Sequence, residues 1–482
     1  MAVDTNEDRS ELSAVDREAL DAYVQKRLRE EAEKRSSQTE LRLESLRVVG
    51  DLLILFVLGL FIVSPFIQLV LRAVKGADVQ PLAVSSYYVR FYQRTIYIIH
   101  CLTRFTAVLV LLWLILCRVV QRRAGKTGEG QSFKRLLGRL LPFFVFLLFD
   151  LSIVLATVIR GPNEYDLSGH PYMYESIYSY ISYPLVFFFC GMMLKRETQR
   201  RFLLYALLFS SLPVNALALV NEWVTKITLF NGSGVCAVFH NSNHYGYYLA
   251  ITIIPAALLV VYEKKLWLRI FSAFCAVLAT VMLIINNTLG AFLAVLFTLL
   301  LFLVYNFCIV KKNKKLALFL LGAFLLVTAL MSIRYTTVTR SVATLKSDIG
   351  KVIADPLESD RAGSGRWKIW KNTVLHMGES PWFGFGVEGL LNTYHVGTPH
   401  NELLQYAAFF GIPTCVLYVL ACALILLRVL KNCKKLDKTT MICFFACICY
   451  LASSFFGVAI YYTTPFIYIF LGLSYAEYLH QK

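Results

Sequence analysis

Uncharged apolar runs of about 20 residues recur along this chain, and each is long enough to cross ~30 Å of hydrocarbon at 1.5 Å per residue. A closed barrel would instead show short alternating segments, so the runs read as helices. Hydrophobic residues make up 57% of the 482 residues and mean hydropathy is +0.59, too apolar for a soluble domain of this length. The expected fold is all-α, a polytopic membrane protein with about 12 spans. They fall near 49–72, 96–118, 137–159, 177–194, 202–224, 244–262, 267–286, 289–309, 316–335, 403–428, 439–457 and 461–479.

Charge gives the topology. With the N-terminus cytoplasmic, the inner loops collect clusters such as Arg122, Arg123 and Lys126, then Lys195, Arg196, Arg200 and Arg201. Lys264, Lys265 and Arg269, Lys311 to Lys315, and Arg428 to Lys438 continue the series. The segments 161–176, 286–288 and 457–462 hold no Lys or Arg, and 225–243 holds only Lys226, as positive-inside placement requires. Both termini are then cytoplasmic, and the long block 336–402 between spans nine and ten lies outside. Arg72, Lys75, Arg90 and Arg94 fit this scheme poorly and read as an interfacial stretch beside Tyr87, Tyr88, Phe91 and Tyr92, with a substrate role as the alternative. The net charge of +17 is therefore a topology signal and an attraction to anionic membrane lipids, not a nucleic-acid footprint.

Residues 1–47 differ from the transmembrane domain 48–482, being rich in Glu, Arg, Leu and Ala. They read as a charged cytoplasmic helix with Leu20, Val24 and Leu28 on one stripe, either a solvated extension or a docking helix for envelope-assembly proteins. The twelve cysteines make no extracytoplasmic framework, since most sit in or beside spans and only Cys236 falls clearly in an outer loop. Cys443, Cys447 and Cys449 read as helix packing, without the His or acid partners of a metal site. No P-loop, Rossmann glycine pattern or acidic dyad is present, so no cofactor and no metal are expected.

The chemistry concentrates at 363–414, where GSGRWKIWKNTVLHMGESPWFGFGVEG runs into PHNELLQYAAFFGIPT. His400 stands at the water-facing start of a span, where a helix N-terminus keeps an imidazole neutral and able to accept a proton. Asn401 beside it either caps the helix or binds substrate. Arg361, Arg366, Lys368 and Lys371 upstream suit a phosphate group, the arginines through their planar forks, and interfacial anchoring of Arg366 with Trp367 and Trp370 is the competing use. Among polar groups in or near spans, Glu222 faces the same water layer as His400, and Asn243 and His244 open the sixth span as caps or substrate contacts. Asp150 lies nearer mid-membrane, as a hydrogen-bonded strut between helices or a functional intramembrane acid.

The string His400-Asn401, nine residues, Gly411, two residues, Thr414 resembles the periplasmic signature of the O-antigen ligase and polysaccharide polymerase superfamily. GRWKIW with PWFGFGVEG, GVCAVFHNSNHYGYYLAI at 234–251 and NNTLGAFLAV at 286–295 resemble further family segments in the expected order. The resemblance implies a GT-C-like, metal-independent inverting glycosyltransferase of the bacterial cytoplasmic membrane. Its donor would be an undecaprenyl-diphosphate-linked glycan and its acceptor a hydroxyl of a glycan or lipid. His400 would act on the acceptor hydroxyl and outer-face cations would hold the departing diphosphate. The family's polar turn carries Arg in Ser-Arg-Gly-Ala, whereas Leu289 stands there in this chain, leaving Arg366, Lys368, Lys226, His240 or His244 to supply the charge. The rival class is a transporter such as a lipid-linked oligosaccharide flippase, which would place its substrate groups near the midplane and show internal repeats.

Overall fold

The computed structural model describes residues 14–75, 101–113, 115–116, 119, 133–169, 175–225, 236–239, 241–335, 337–356, 359–461 and 463–480. Lys226 and His240, together with Arg90 and Arg94, lie outside the described residues. The helices are α1 Ala14–Lys75, α2 Cys101–Trp113, α3 Phe133–Arg160, α4 Glu164–Ser168, α5 Ile177–Tyr180, α6 Tyr183–Met193 and α7 Glu197–Val220. There follow α8 Ser242–Tyr262, α9 Leu266–Asn286, α10 Leu289–Val304, α11 Lys314–Arg334, α12 Thr337–Ala354 and α13 Arg366–Met377. α14 Gly389–Tyr394, α15 Glu402–Phe410, α16 Ile412–Asn432, α17 Lys438–Ser454 and α18 Thr464–His480 complete the set.

Among the described residues eight helices are long and apolar enough to cross a membrane. The runs expected at 96–118, 177–194 and 439–457 appear as shorter apolar helices, and the last as α18. The charged extension and the first span form one uninterrupted helix, α1, of 62 residues, because no Gly or Pro interrupts 14–49.

The chain forms two compact units. In the first, the described parts are α1 up to residue 53 and α2 from residue 107, with Trp113 Nε1 donating to the Leu46 carbonyl at 2.7 Å. The second holds the remainder, and there α8 is the central helix, packing on α9, α10 and α17. Of the α8 hydrophobic window 94% is buried, against 22% for α11, so α8 is core and α11 is rim. Tight contact at glycine sets this packing: a Cβ on Gly246 would meet the Thr288 side chain at 2.6 Å, and one on Gly472 would meet Cys190 at 2.3 Å. Cys443, Cys447 and Cys449 are all buried in α17.

The tenth expected span, 403–428, is not one helix. Gly411 adopts a left-handed φ of 92° and Pro413 stands in the first turn of α16, so the chain breaks into α15 and α16. A turn 25 or more residues upstream fills the break: Phe385 and Gly386 donate their N–H groups to the Ala408 and Phe409 carbonyls, both at 2.8 Å. Ile412 in turn donates to the Pro381 carbonyl at 2.8 Å. The backbone groups freed by the break are thereby satisfied without water.

Candidate functional site

A left-handed turn sets up α13. Gly363, Ser364 and Gly365 all have positive φ, at 61°, 59° and 85°, and Asp348 of α12 accepts the Gly363 N–H at 2.9 Å. Arg366 begins the helix and Trp370 follows one turn later on the same face. Arg366 Nη2 donates to Asn243 Oδ1 at 3.5 Å, linking α13 to the first turn of α8. Arg366 is half-buried and, among the described residues, makes no ion pair. Burial pushes its pKa down, but a guanidinium keeps its charge, so a partly desolvated cation stands without an anion.

Trp370 holds the segment before His400. Its Nε1 donates to the Pro399 carbonyl at 2.6 Å, and its ring lies 6.5 Å from that of Phe456 at 34°. Glu388, 2% exposed, accepts the Thr398 hydroxyl at 2.8 Å from the other side, and burial raises its pKa. His400 itself is half-buried with φ 49°, and its imidazole makes no hydrogen bond to the described residues. Its position therefore comes from the backbone that Trp370 and Glu388 fix. Burial first, and then the positive charge of Arg366, lower its pKa from 6.5 to about 4, so the ring is neutral at pH 7.

The downstream motif residues are structural. Asn401 Oδ1 accepts from Leu403 and Leu404 N–H at 3.0 and 3.1 Å, capping α15. Thr414 donates to the Phe410 carbonyl at 2.9 Å and touches Ser152 of α3 at 2.9 Å. A Cβ on Gly411 would stand 2.1 Å from the Trp382 carbonyl oxygen, which explains the glycine. The PWFGFG turn is clamped from outside by Asp166, which accepts the Val387 N–H at 2.9 Å and pairs with Arg160 at 2.8 Å. Asn163 adds a bond to the Val387 carbonyl at 3.1 Å. The sequence reading missed this clamp, although Asn163 and Asp166 form a capping box whose N-x-x-D spacing is visible in the chain.

A cavity of about 750 Å³ opens between α8, α10, α12 and α13. Its lining includes Arg366, Asn243, Tyr247, Leu289, Trp370 and Phe456 together with residues of α12. Tyr247 is fixed by donating to the Ser453 carbonyl at 2.5 Å, and a Cβ on Gly457 would stand 1.4 Å from its hydroxyl oxygen. Tyr247, Asp348 and Phe456 were not singled out by the sequence reading; only the long-range packing brings them here. His400 is not part of the lining, but Arg366 and Trp370 border the cavity and act on His400 as well.

Other expected residues fall elsewhere. Lys368 is exposed, outside the cavity lining, and pairs with Asp360 at 3.4 Å, as Lys371 does at 2.7 Å. Glu222 sits in a short π-helical turn after α7, and His244 is buried in the first turn of α8; neither lines the cavity. Asp150 Oδ1 is buried without a hydrogen bond among the described residues, so the expected strut lacks that contact.

Residues 274–419 match a family model described as O-antigen ligase. The match takes in the α9–α10 turn, α12, α13, the 381–386 turn, His400 and the start of α16. No curated protein matches the chain.

Proposed function

We propose that this chain, which carries an O-antigen ligase domain over residues 274–419, is a bacterial integral-membrane glycosyltransferase of the ligase or polymerase type. It moves an oligosaccharide from undecaprenyl diphosphate to an acceptor hydroxyl. The observation that carries this reading is Arg366: a half-buried cation with no ion pair among the described residues, bordering a cavity and electrically joined to a neutral imidazole.

In this account the diphosphate binds at Arg366, with Asn243 alongside. Its negative charge offsets that of Arg366, so the field that lowers His400 is relieved and the imidazole becomes a stronger base. His400 takes the proton from the acceptor hydroxyl as the oxygen attacks the anomeric carbon. The bond from that carbon to the diphosphate oxygen breaks with its electron pair, and Arg366 stabilises the charge that appears there. A glycosidic bond replaces the more reactive glycosyl–diphosphate bond, so the donor supplies the energy, and attack from the opposite face inverts the centre.

The basic loops 195–201, 263–269 and 428–438 gather at the end of the bundle opposite His400, the placement expected of a cytoplasmic face. This supports an outward-facing site in the cytoplasmic membrane, with both termini inside. The test is to incubate the purified full chain in lipid vesicles with an undecaprenyl-diphosphate glycan and an acceptor, following glycan length and attachment. Transfer by wild type with a fall of about 10²-fold or more in His400→Ala is expected. Equal output from wild type, His400→Ala and Arg366→Ala would remove the mechanism.

A further inference from the structure

Arg366 and Asp348 line the same cavity yet form no ion pair, although opposite charges free to meet would do so. Asp348 Oδ2 holds the Gly363 N–H at 2.9 Å, which anchors the carboxylate on the α12 side, while Arg366 reaches towards Asn243 on α8. The cavity therefore offers a cation and a carboxylate that do not pair with each other. A ligand bridging them must present negative charge to Arg366 and hydrogen-bond donors to Asp348.

The α12 lining is mixed: Leu345, Ile349, Val352 and Ile353 are aliphatic, and the polar residues near Asp348 suit a sugar ring. Ser341 and Thr344 lie on the same stripe of α12, at spacings of seven and four residues, and all three line the cavity. Ser341 donates to Asn287 Oδ1 at 3.2 Å, which ties α12 to the α9–α10 turn and fixes this wall. Trp367 adds an aromatic ring to the lining, its Nε1 held by the Pro356 carbonyl at 2.8 Å. Hydroxyls, a carboxylate and an indole face are the groups that take up a polyhydroxylated ring, donors to the carboxylate and C–H face to the aromatic.

We propose that α12 carries a glycan subsite centred on Asp348, and that this carboxylate restricts the sugar next to the phosphate to a neutral or amino sugar. The proposal rests on the reading of Arg366 as the diphosphate site and adds the sugar class to it. A uronic acid in that place would set its carboxylate against Asp348 in a cavity only partly open to water, where like charges repel strongly. A neutral sugar donates hydroxyls to the same oxygens.

The test uses the full chain in nanodiscs and three lipid probes: undecaprenyl diphosphate alone, undecaprenyl-diphosphate N-acetylglucosamine and undecaprenyl-diphosphate glucuronic acid. Affinity is measured for wild type, Asp348→Asn and Arg366→Gln. Asparagine can still accept the Gly363 N–H, so the turn before Arg366 is preserved. Wild type should prefer the N-acetylglucosamine lipid over the glucuronic acid lipid by at least tenfold, and Asp348→Asn should bring that ratio near one, mainly by improving the acidic lipid. Undecaprenyl diphosphate alone should bind Asp348→Asn at least as tightly as it binds wild type, with a smaller gain than the acidic lipid shows. A wild-type ratio near one, or an unchanged ratio in Asp348→Asn, overturns the sugar subsite. Equal binding of undecaprenyl diphosphate by wild type and Arg366→Gln overturns the diphosphate site itself, whatever Asp348 does.

Discussion

Arg200 and Arg201 at one end of the helix bundle and Arg366 at the other are held differently, although Arg160, near Arg366's end, is also paired, with Asp166. At the end that gathers the basic loops, Arg200 is 1% exposed and joins Asp437 while donating to the Leu194 and Lys195 carbonyls at 3.3 and 3.1 Å. Arg201 there meets Glu263, whose Oε1 also accepts the Lys264 and Lys265 N–H groups just before α9 at 2.7 and 3.0 Å. At the other end Arg366 meets, among the described residues, only an amide oxygen. A buried cation closed off by a carboxylate is a structural tie, and one left open beside a cavity is set for an anion from outside.

Substitutions can break this contrast. Arg200→Met should cost roughly 3–5 kcal/mol by leaving Asp437 and two carbonyls without their partner, seen as loss of thermal stability or of folded protein on size-exclusion chromatography. Arg366→Gln should leave stability close to wild type but lower transfer by about 10²–10³-fold, the size expected when one charge-stabilising group is lost. If Arg366→Gln unfolds the protein instead, the contrast between the two ends fails. Trp370→Phe keeps the ring against Phe456 and removes only the bond to the Pro399 carbonyl, worth about 1 kcal/mol. It should lower kcat about fivefold with little change in KM, since His400 is displaced while the Arg366 site is kept. Lys368→Ala should change transfer less than about twofold, because an exposed pair such as Lys368 and Asp360 contributes little.

The difference between Lys368 and Arg366 also shows what the sequence could and could not reveal. Both are cations two residues apart in a polar block, and linear spacing treats them alike. Once 366–377 is helical, two residues are about 200° apart, so Arg366 and Trp370 turn to the cavity while Lys368 turns to Asp360 and solvent. The apolar runs were legible because membrane thickness imposes a length, and the His400-Asn401 helix start because capping is local. The break at Gly411 was hidden, since Ile412, Cys415 and Val416 continue an apolar run. What breaks it is a turn at 381–386 that no local period announces. Asp348 was hidden for a related reason: in the sequence it is one charge in a polar stretch, and its meaning comes from Gly363 and the cavity.

Titration of His400 tests the central claim most directly. In nanodiscs containing the full chain with 15N-labelled histidine, with His400→Gln as the assignment control, the imidazole should titrate well below 6.5, near 4. Saturating undecaprenyl diphosphate should raise that pKa by offsetting the Arg366 charge, and Arg366→Gln should raise it without any ligand. A pKa near 6.5 that responds neither to the diphosphate nor to the loss of Arg366 would contradict the account.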